Sequence, residues 1–258
     1  MSEGTVHLRI EGPVASVVFD RPEARNAMTW AMYERLLAIC AQLQADASVR
    51  VVTFRGAGGE AFVAGTDIAQ FQSFASGDDG VAYERQIDHC MALLEALPMP
   101  TVALVEGWAI GGGLAIATAC DFRVATAGTR FGVPIAKTLG NCLSVGNLAR
   151  LVGAFGAPRV KRMLLLAELL PADELLASGY LTAVCAAAEL DATAARLCER
   201  LASLAPVTQA VSKEGLRRLA THALPEGEDL IRRCYGSADF REGVSAFVAK
   251  RPAAWKGI

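Results

Sequence analysis

The stretch that decides the fold is Gly107-Trp108-Ala109-Ile110-Gly111-Gly112-Gly113, which leads directly into the small apolar residues 114–119. The apolar run at 101–105 before it predicts a short buried strand. Three consecutive glycines leave the backbone N–H groups at the start of the helix without side-chain cover, and the helix dipole favours negative charge there. The stretch therefore indicates either a site for an oxyanion or a phosphate, or a tight turn that lets the helix pack close to the sheet.

A second glycine loop stands earlier in the chain, Ala61-Phe62-Val63-Ala64-Gly65-Thr66-Asp67, after a strand predicted at 49–54. Gly65 would let the chain turn sharply and direct the N–H of Thr66 outward, and Asp67 could cap the helix that follows. Alone, this signal is weak. Two such loops, one after each of two similar strands, can place two N–H donors side by side.

Strands and helices alternate over the first part of the chain. We predict strands at 14–19, 49–54, 101–105 and 122–125, helices at 28–43, 81–97 and 114–119, and a mobile tip at 76–80. A strand, a glycine-containing loop and a helix or further loop recur at 49–66, 101–119 and 121–137, which indicates a layered α/β fold. Beyond about residue 158 the pattern becomes mostly helical.

The composition argues against several classes of protein. The net charge of −2 and the pI near 6.0 give no long-range attraction for polyanions, so we expect neither a nucleic-acid nor a membrane partner. The N-terminal residues lack a basic stretch followed by an apolar one, which predicts a cytoplasmic protein. Seven scattered cysteines and three histidines lack the spacing of a disulfide framework or a zinc site, so no metal is expected.

Several motifs in order along the chain resemble the crotonase (enoyl-CoA hydratase/isomerase) superfamily over nearly its whole length. They are DRPEARNA at 20–27, AFVAGTD at 61–67, EGWAIGGG at 106–113, CDFRVA at 120–125, FGVP at 131–134 and SADFREGVSAF at 237–247. The resemblance implies an α/β spiral of repeated ββα units at 1–195 and a helical region at 196–258 that packs homotrimers, often paired into hexamers. It implies no separate cofactor, since coenzyme A arrives as part of the acyl-CoA substrate.

The resemblance also implies where the thioester is held. The N–H groups of Thr66 and Gly112 would form an oxyanion hole around the carbonyl oxygen, since addition, isomerisation and decarboxylation of acyl-CoA all pass through an enolate-like oxygen. Losing one such donor typically costs about 3 kcal/mol in the transition state.

Further residues are implied to bind the substrate or CoA, namely Arg25, Ala64, Asp67, Gly111, Phe247 and Lys250. Arg25 would approach the CoA phosphates and the Ala64 carbonyl the adenine. Phe247 and Lys250 would meet the nucleotide end of CoA bound to the same or an adjacent subunit. For Arg25 and Lys250, a solvated surface charge is the alternative interpretation.

The sequence departs from the family pattern at the two glutamates with which hydratases activate water and handle the α-proton. Those positions hold Ala115 and Ile135, and neither side chain can carry a proton. Asn141 falls near the place where other relatives, including a dehalogenase, carry an alternative acid. Its amide could hold a water or a carbonyl but cannot act as a base near neutral pH, and a turn role beside Gly140 is the alternative.

Other groups near the expected acyl end have a structural interpretation beside the functional one. Cys142 could act as a nucleophile only if its pKa were lowered. Glu84 and Asp88 could swing over the acyl end, but a solvated helix-face charge is the expectation for both. Asp67 also matches a framework position.

These observations predict an enzyme that processes an acyl-CoA thioester, as a hydratase/isomerase-type lyase or isomerase, with hydration by two glutamates in doubt. Decarboxylation or thioester hydrolysis is the first alternative, because loss of a β-carboxylate generates the enolate without a protein base. The second is a paralogue that binds CoA esters without catalysis. RNA binding is disfavoured by the acidic pI.

Overall fold

Two β-sheets and ten α-helices make up residues 3–256, which the computed structural model describes. The strands are β1 (Thr5–Glu11), β2 (Val14–Asp20), β3 (Val51–Gly56), β4 (Thr101–Val105), β5 (Trp108–Ile110), β6 (Phe122–Thr126), β7 (Arg130–Gly132), β8 (Leu170–Pro171) and β9 (Ala183–Cys185). The helices are α1 (Trp30–Ala45), α2 (Gly77–Glu95), α3 (Gly112–Ala119), α4 (Ile135–Thr138), α5 (Val145–Leu165), α6 (Ala172–Ala177), α7 (Leu190–Ala202), α8 (Pro206–Thr221), α9 (Glu228–Tyr235) and α10 (Ala238–Val248).

The larger sheet has the order β1-β2-β3-β4-β6-β9. Only the pair β1 and β2 is antiparallel, and the remaining neighbours are parallel, as expected when helices connect successive strands. Strand β4 is buried along its whole length, which accounts for its uninterrupted apolar sequence. The four predicted strands are all confirmed, with end points that differ by at most two residues.

A smaller layer runs beside this sheet and is built from very short strands. It has the order β5-β7-β8. Strands β5 and β7 are parallel, and along the chain β5 follows β4 and β7 follows β6. The segment after β3 joins the same layer through an isolated bridge from Val63 to Ala109, and a second bridge connects Met28 to Thr66. Each turn of the chain therefore gives one strand to each layer before a helix, which confirms the predicted spiral of ββα units.

Helices cover the sheets with apolar side chains. The buried residues of α1, including Met32, Leu36 and Ile39, recur at the spacing of one helix face. Helix α7 packs Leu190, Ala194, Cys198 and Leu201 against β3, β4 and β6. The predicted boundary between the spiral core at 1–195 and the helical region at 196–258 falls inside this helix.

Helix α2 begins earlier than predicted, so the expectation of a mobile tip at 76–80 was wrong. Ser76 caps the helix, and its own N–H donates to Asp79 Oδ2 at 2.8 Å, which forms a reciprocal capping box. A Cβ on Gly80 would lie 2.1 Å from the ring of Tyr235. The glycine there serves close packing against α9 rather than flexibility.

Helix α8 differs from the other long helices because it has no buried residue. Four of its large apolar side chains are exposed, namely Val207, Val211, Leu216 and Leu219. Within the described residues, no helix combines the length and apolar character needed to cross a bilayer.

Candidate active site

The N–H of Thr66 is oriented by the bridge between Thr66 and Met28. The Met28 N–H donates to the carbonyl of Gly65, and the N–H of Asp67 donates to the carbonyl of Met28, both at 2.8 Å. Since successive residues of an extended segment direct their N–H groups to opposite sides, the Thr66 N–H points away from Met28. The chain that enters α3 lies on that other side.

Two glycines in left-handed backbone conformations place the candidate donors. Gly65 has a φ of +106°, and Gly111 has a φ of +53° with a ψ of −117°. Residues with a Cβ rarely adopt these angles, so glycine is required directly before Thr66 and directly before Gly112. Each of these two glycines therefore sets the direction of the chain just before a residue whose N–H is a candidate oxyanion-hole donor.

Gly112 is the first residue of α3, where N–H groups have no partner within the helix. The N–H of Gly111 donates to the Gly132 carbonyl at 3.0 Å, and hydrogen bonding within α3 begins with Ala115 donating to Gly111 at 3.0 Å. A Cβ built on Gly112 would lie 3.4 Å from Thr66 Oγ1. The two candidate donors are therefore neighbours in space although they lie in different turns of the spiral.

Two tyrosine hydroxyl groups complete this region. Tyr33 on α1 and Tyr83 on α2 each bring their hydroxyl to 2.8 Å from Thr66 Oγ1. Burial raises the pKa of both tyrosines, so they remain neutral hydroxyls at physiological pH. The Tyr33 hydroxyl also lies 2.6 Å from the Cβ position of Gly112, which leaves no room for a side chain there.

A groove of about 380 Å³ adjoins the Thr66 side of the site. The predicted residues that line it are Arg25, Ala64, Thr66, Asp67 and Phe247, together with Arg21, Ala24, Ala27, Ile68, Trp108 and Ile110. Residues from the loop at 20–27, from both glycine loops and from α10 thus meet around one open channel. The sequence motifs that were far apart in the chain converge there.

The carboxylate of Asp67 is already engaged within the chain. Asp67 Oδ2 forms an ion pair with Arg21 Nη1 at 2.8 Å, and Asp67 Oδ1 accepts a hydrogen bond from the N–H of Ala69 at 3.1 Å. Arg21 is buried, so this pair fixes the loop at 20–27 against the glycine loop. Both carboxylate oxygens of Asp67 thus have partners within the chain at the wall of the groove.

The loop at 20–27 is further held by Asn26, which is fully buried. Its side-chain amide donates to the carbonyls of Ala57 and Ala61 at 2.9 and 2.8 Å, and its oxygen accepts from the Arg21 N–H at 3.0 Å. These bonds hold Arg25, whose φ is +52°, at the groove. Lys250 is exposed one turn beyond Phe247 and does not line the groove.

A small inner cavity of about 30 Å³ lies on the Gly112 side of the site. Its lining includes Gly111, Gly112, Ala115 and Glu84. Ala115 presents only a methyl group there, and Ile135 packs as a partly buried apolar residue against the core. Neither Ala115 nor Ile135 supplies a polar group to the cavity.

Glu84 is the carboxylate at this cavity, and the expectation that it is a solvated charge was wrong. Only 2% of the residue is exposed. Glu84 Oε2 accepts from the N–H of Ser144, and Glu84 Oε1 accepts from the hydroxyl of Tyr235, both at 2.8 Å. Burial raises its pKa from the ordinary 4.5 to about 7, although these hydrogen bonds favour the ionised form.

Asn141 and Cys142 lie beside this carboxylate rather than in the cavity lining. The Asn141 amide donates to the hydroxyl of Tyr235 at 3.2 Å, so it stands two hydrogen bonds from Glu84. A hydrogen bond with Cys234 and burial raise the pKa of the Cys142 thiol. This disfavours the thiolate that a nucleophilic role requires.

Sequence reasoning did not identify Tyr33 or Tyr83 as site residues, and it named Glu84 only as a charge that could swing over the acyl end. A usable signal existed for two of them, because each interrupts an apolar helix face. Tyr33 stands between Met32 and Leu36 on the buried face of α1, and Glu84 stands three residues from both Val81 and Ile87 on α2. Within residues 3–256, no group of three or more His, Cys, Asp or Glu side chains is placed to hold a metal ion.

Comparison with known proteins places this chain among acyl-CoA-processing enzymes. The family model described as enoyl-CoA hydratase/isomerase matches residues 9–258. A short-chain-enoyl-CoA hydratase of Clostridium acetobutylicum is 32% identical over 97% of both chains. The structure of an enoyl-CoA hydratase/carnithine racemase from Magnetospirillum magneticum is 31% identical with a TM-score of 0.79 and covers 98% of this chain and 96% of that one. Methylmalonyl-CoA decarboxylase complexed with 2S-carboxypropyl CoA is 25% identical, with a TM-score of 0.89 and full coverage of both chains.

Proposed function

The chain belongs to the enoyl-CoA hydratase/isomerase family within the crotonase superfamily of acyl-CoA-processing enzymes, and from this premise we propose that it stabilises an enolate-like thioester oxygen between two backbone N–H groups. The donors are those of Thr66 and Gly112. The observation that carries this proposal is the pair of left-handed glycines, Gly65 and Gly111, directly before two donors that are neighbours in space.

Backbone donors suit this task because they are fixed before the substrate arrives. The bridge to Met28 orients one donor, and the start of α3 orients the other. Neither has to reorganise when charge develops on the oxygen, and removing one such donor costs about 3 kcal/mol in known enzymes. The dipole of α3 adds favourable potential at its N-terminus.

We propose that CoA lies along the groove, with the thioester at the donors and the first acyl carbons next to the inner cavity. Arg25 and the Ala64 carbonyl border this groove, and Phe247 closes one side with an exposed ring. Lys250 extends from the end of α10 and would add a charge for the phosphates outside the groove. This arrangement needs no cofactor other than the CoA carried by the substrate.

The reaction is proposed to be one that a single acid–base group can carry out, by removing a proton, returning one, or both in turn. Hydration across a conjugated double bond uses a base and an acid on the same side, and Ala115 and Ile135 supply neither. Double-bond isomerisation moves one proton, so it fits a site with one carboxylate. Decarboxylation is the second candidate: the β-carboxylate leaves as CO₂, its bonding electrons form the enolate, and one proton then returns to the α-carbon.

The test compares hydration of crotonyl-CoA and longer enoyl-CoAs with isomerisation of 3-enoyl-CoAs and decarboxylation of malonyl-type CoA esters. We expect hydration by the wild type to be slow or absent, and we include the double variant Ala115→Glu/Ile135→Glu as the matched hydration control. Robust wild-type hydration would show that other residues replace the two glutamates. Binding of CoA esters without any turnover would favour a non-catalytic paralogue.

We also propose that the chain self-associates, as a homotrimer or a dimer of trimers. The exposed apolar residues of α8, Val207, Val211, Leu216 and Leu219, are 67 to 78% exposed. Large apolar side chains exposed on a helix that has no buried residue are typical of an interface between subunits. Sedimentation at several protein concentrations tests this proposal.

A further inference from the structure

We propose that Glu84 is the catalytic group that exchanges a proton with the α-carbon of the bound acyl chain. This inference rests on the proposed function and assigns a role that the motifs did not indicate, because the position belongs to none of them. In this proposal, a carboxylate on helix α2 transfers the proton in place of the two glutamates that this chain lacks.

The first support is position. Glu84 borders the same inner cavity as Gly112 and Ala115, next to which the first acyl carbons are proposed to lie. Its neighbour Tyr83 bonds Thr66 Oγ1 at 2.8 Å, which ties this turn of α2 to the donor pair.

The second support is the chemical surroundings of the carboxylate. Its hydrogen-bond partners, Ser144, Tyr235 and Asn147, are all neutral. Arg150 lines the same cavity and donates to Asp88 at 2.8 Å and to Glu95 at 2.9 Å, so its charge is paired with these two carboxylates. Burial brings the pKa of Glu84 to about 7, so both protonation states are accessible near neutral pH, as a general acid–base group requires.

The groups that surround Glu84 come from four parts of the structure. They are Tyr83 and Asp88 on α2, Tyr33 on α1, Tyr235 and Cys234 on α9, and Cys142, Asn147 and Arg150 in and before α5. The tyrosines and Cys142 have raised pKa values and stay neutral, whereas the hydrogen bond with Cys142 lowers the pKa of Cys234. Of the charged groups, the Asp88 carboxylate raises the pKa of Glu84, and Arg150 is paired with Asp88 and Glu95.

The step balances with the residues present. The Glu84 carboxylate takes the α-proton, the C–H bonding electrons form the carbon–carbon double bond of the enolate, and the carbonyl π-electrons move to the oxygen between Thr66 and Gly112. The reverse transfer from protonated Glu84 restores a C–H bond. After loss of CO₂, the same protonated group would deliver the proton.

The experiment measures deuterium incorporation at the α-carbon of butyryl-CoA in D₂O, by mass spectrometry, over a range of pH. We expect the wild-type rate to rise with pH through about 7, as Glu84 ionises. Glu84→Gln should lose exchange by about a hundredfold or more. Its affinity for butyryl-CoA should stay within about twofold, because the substitution removes the base without removing CoA contacts.

Two variants keep the carboxylate and move its pH profile in opposite directions. Asp88→Asn removes the nearby like charge that raises the pKa of Glu84, so the rise should shift to lower pH. Tyr235→Phe removes a hydrogen bond that favours the ionised form, so the rise should shift to higher pH. A merely structural role of Glu84 would leave both profiles in place.

Each possible result of these experiments either supports or overturns the role proposed for Glu84. Exchange by Glu84→Gln at the wild-type rate would overturn the role of Glu84 and leave enolate stabilisation intact. Binding without exchange by the wild type at any pH would overturn both. If Glu84→Gln fails to fold, the opposite shifts of Asp88→Asn and Tyr235→Phe still support the role, and unmoved profiles overturn it.

Discussion

Removing the N–H of Gly112 tests the role of this backbone donor without changing the side chains that face the substrate. Proline is the residue that lacks an N–H, and it is well tolerated at the first position of a helix, where Gly112 stands. Residue Gly111 has angles that mirror the polyproline region, which a glycine before proline can adopt. The substitution Gly112→Pro is therefore compatible with the local backbone.

One steric conflict has to be removed first. Any Cβ at position 112 would lie 2.6 Å from the hydroxyl oxygen of Tyr33. The substitution Tyr33→Phe deletes that oxygen, while Tyr83 still bonds Thr66 Oγ1 at 2.8 Å. We therefore compare Gly112→Pro/Tyr33→Phe with Gly112→Ala/Tyr33→Phe, which carries a Cβ and keeps the N–H.

The expected difference between these two variants is at least the contribution of one donor, because the proline Cδ also fills the space to which the N–H pointed. That contribution is about 3 kcal/mol in known oxyanion holes, so the proline variant should be slower by about a hundredfold. The assay is α-deuteration of butyryl-CoA under single-turnover conditions, with binding affinity measured separately. Rates within about threefold of each other, in two folded proteins, would refute the assignment of Gly112 as a donor.

Three further predictions concern stability and assembly. Glu84 keeps its proton up to about pH 7 in the folded state but only up to about pH 4.5 in the unfolded state. The free energy of unfolding of the wild type should therefore fall by about 3 kcal/mol as the pH rises from 4.5 to 7, relative to that of Glu84→Gln, as measured by urea unfolding. Asn26→Ala removes three buried hydrogen bonds and should cost about 3–5 kcal/mol, whereas exposed Gln42→Ala should change stability by less than about 0.5 kcal/mol. Val211→Glu on α8 should reduce the sedimentation coefficient if this face joins subunits; an unchanged value would place the interface elsewhere.

The sequence predicted those parts of the fold where the local pattern and the final environment agree. Strand β4 was predicted at its observed bounds, because a run of buried apolar residues is unambiguous over five positions. Strands β5, β7 and β8 contain two or three residues each, which is too short for periodicity to appear. Their existence depends on pairing between distant turns of the spiral.

For the candidate site too, only residues with a local sequence signal could be predicted. Gly65 could be identified as a sharp turn and 111–113 as a glycine loop at the start of a helix, and the structure gives Gly65 and Gly111 positive φ angles, whereas the donor roles of Thr66 and Gly112 were implied by the resemblance and stay predictions. The surroundings of Glu84 could not be predicted, since Tyr235 lies 151 residues further along the chain. The same tyrosine explains the error at Gly80, where a glycine that suggested mobility instead accommodates an aromatic ring.

The position of the two candidate donors in different turns of the spiral has a consequence for the response to heat. The spacing between Thr66 and Gly112 is set by how one turn stacks on the next, through the bridge at Val63 and Ala109, and no covalent or local link fixes it. Thermal loosening between turns would therefore widen the gap before either turn loses its own backbone conformation. The temperature at which the enzyme stops working should thus report the onset of slippage between layers, ahead of the melting of its secondary structure.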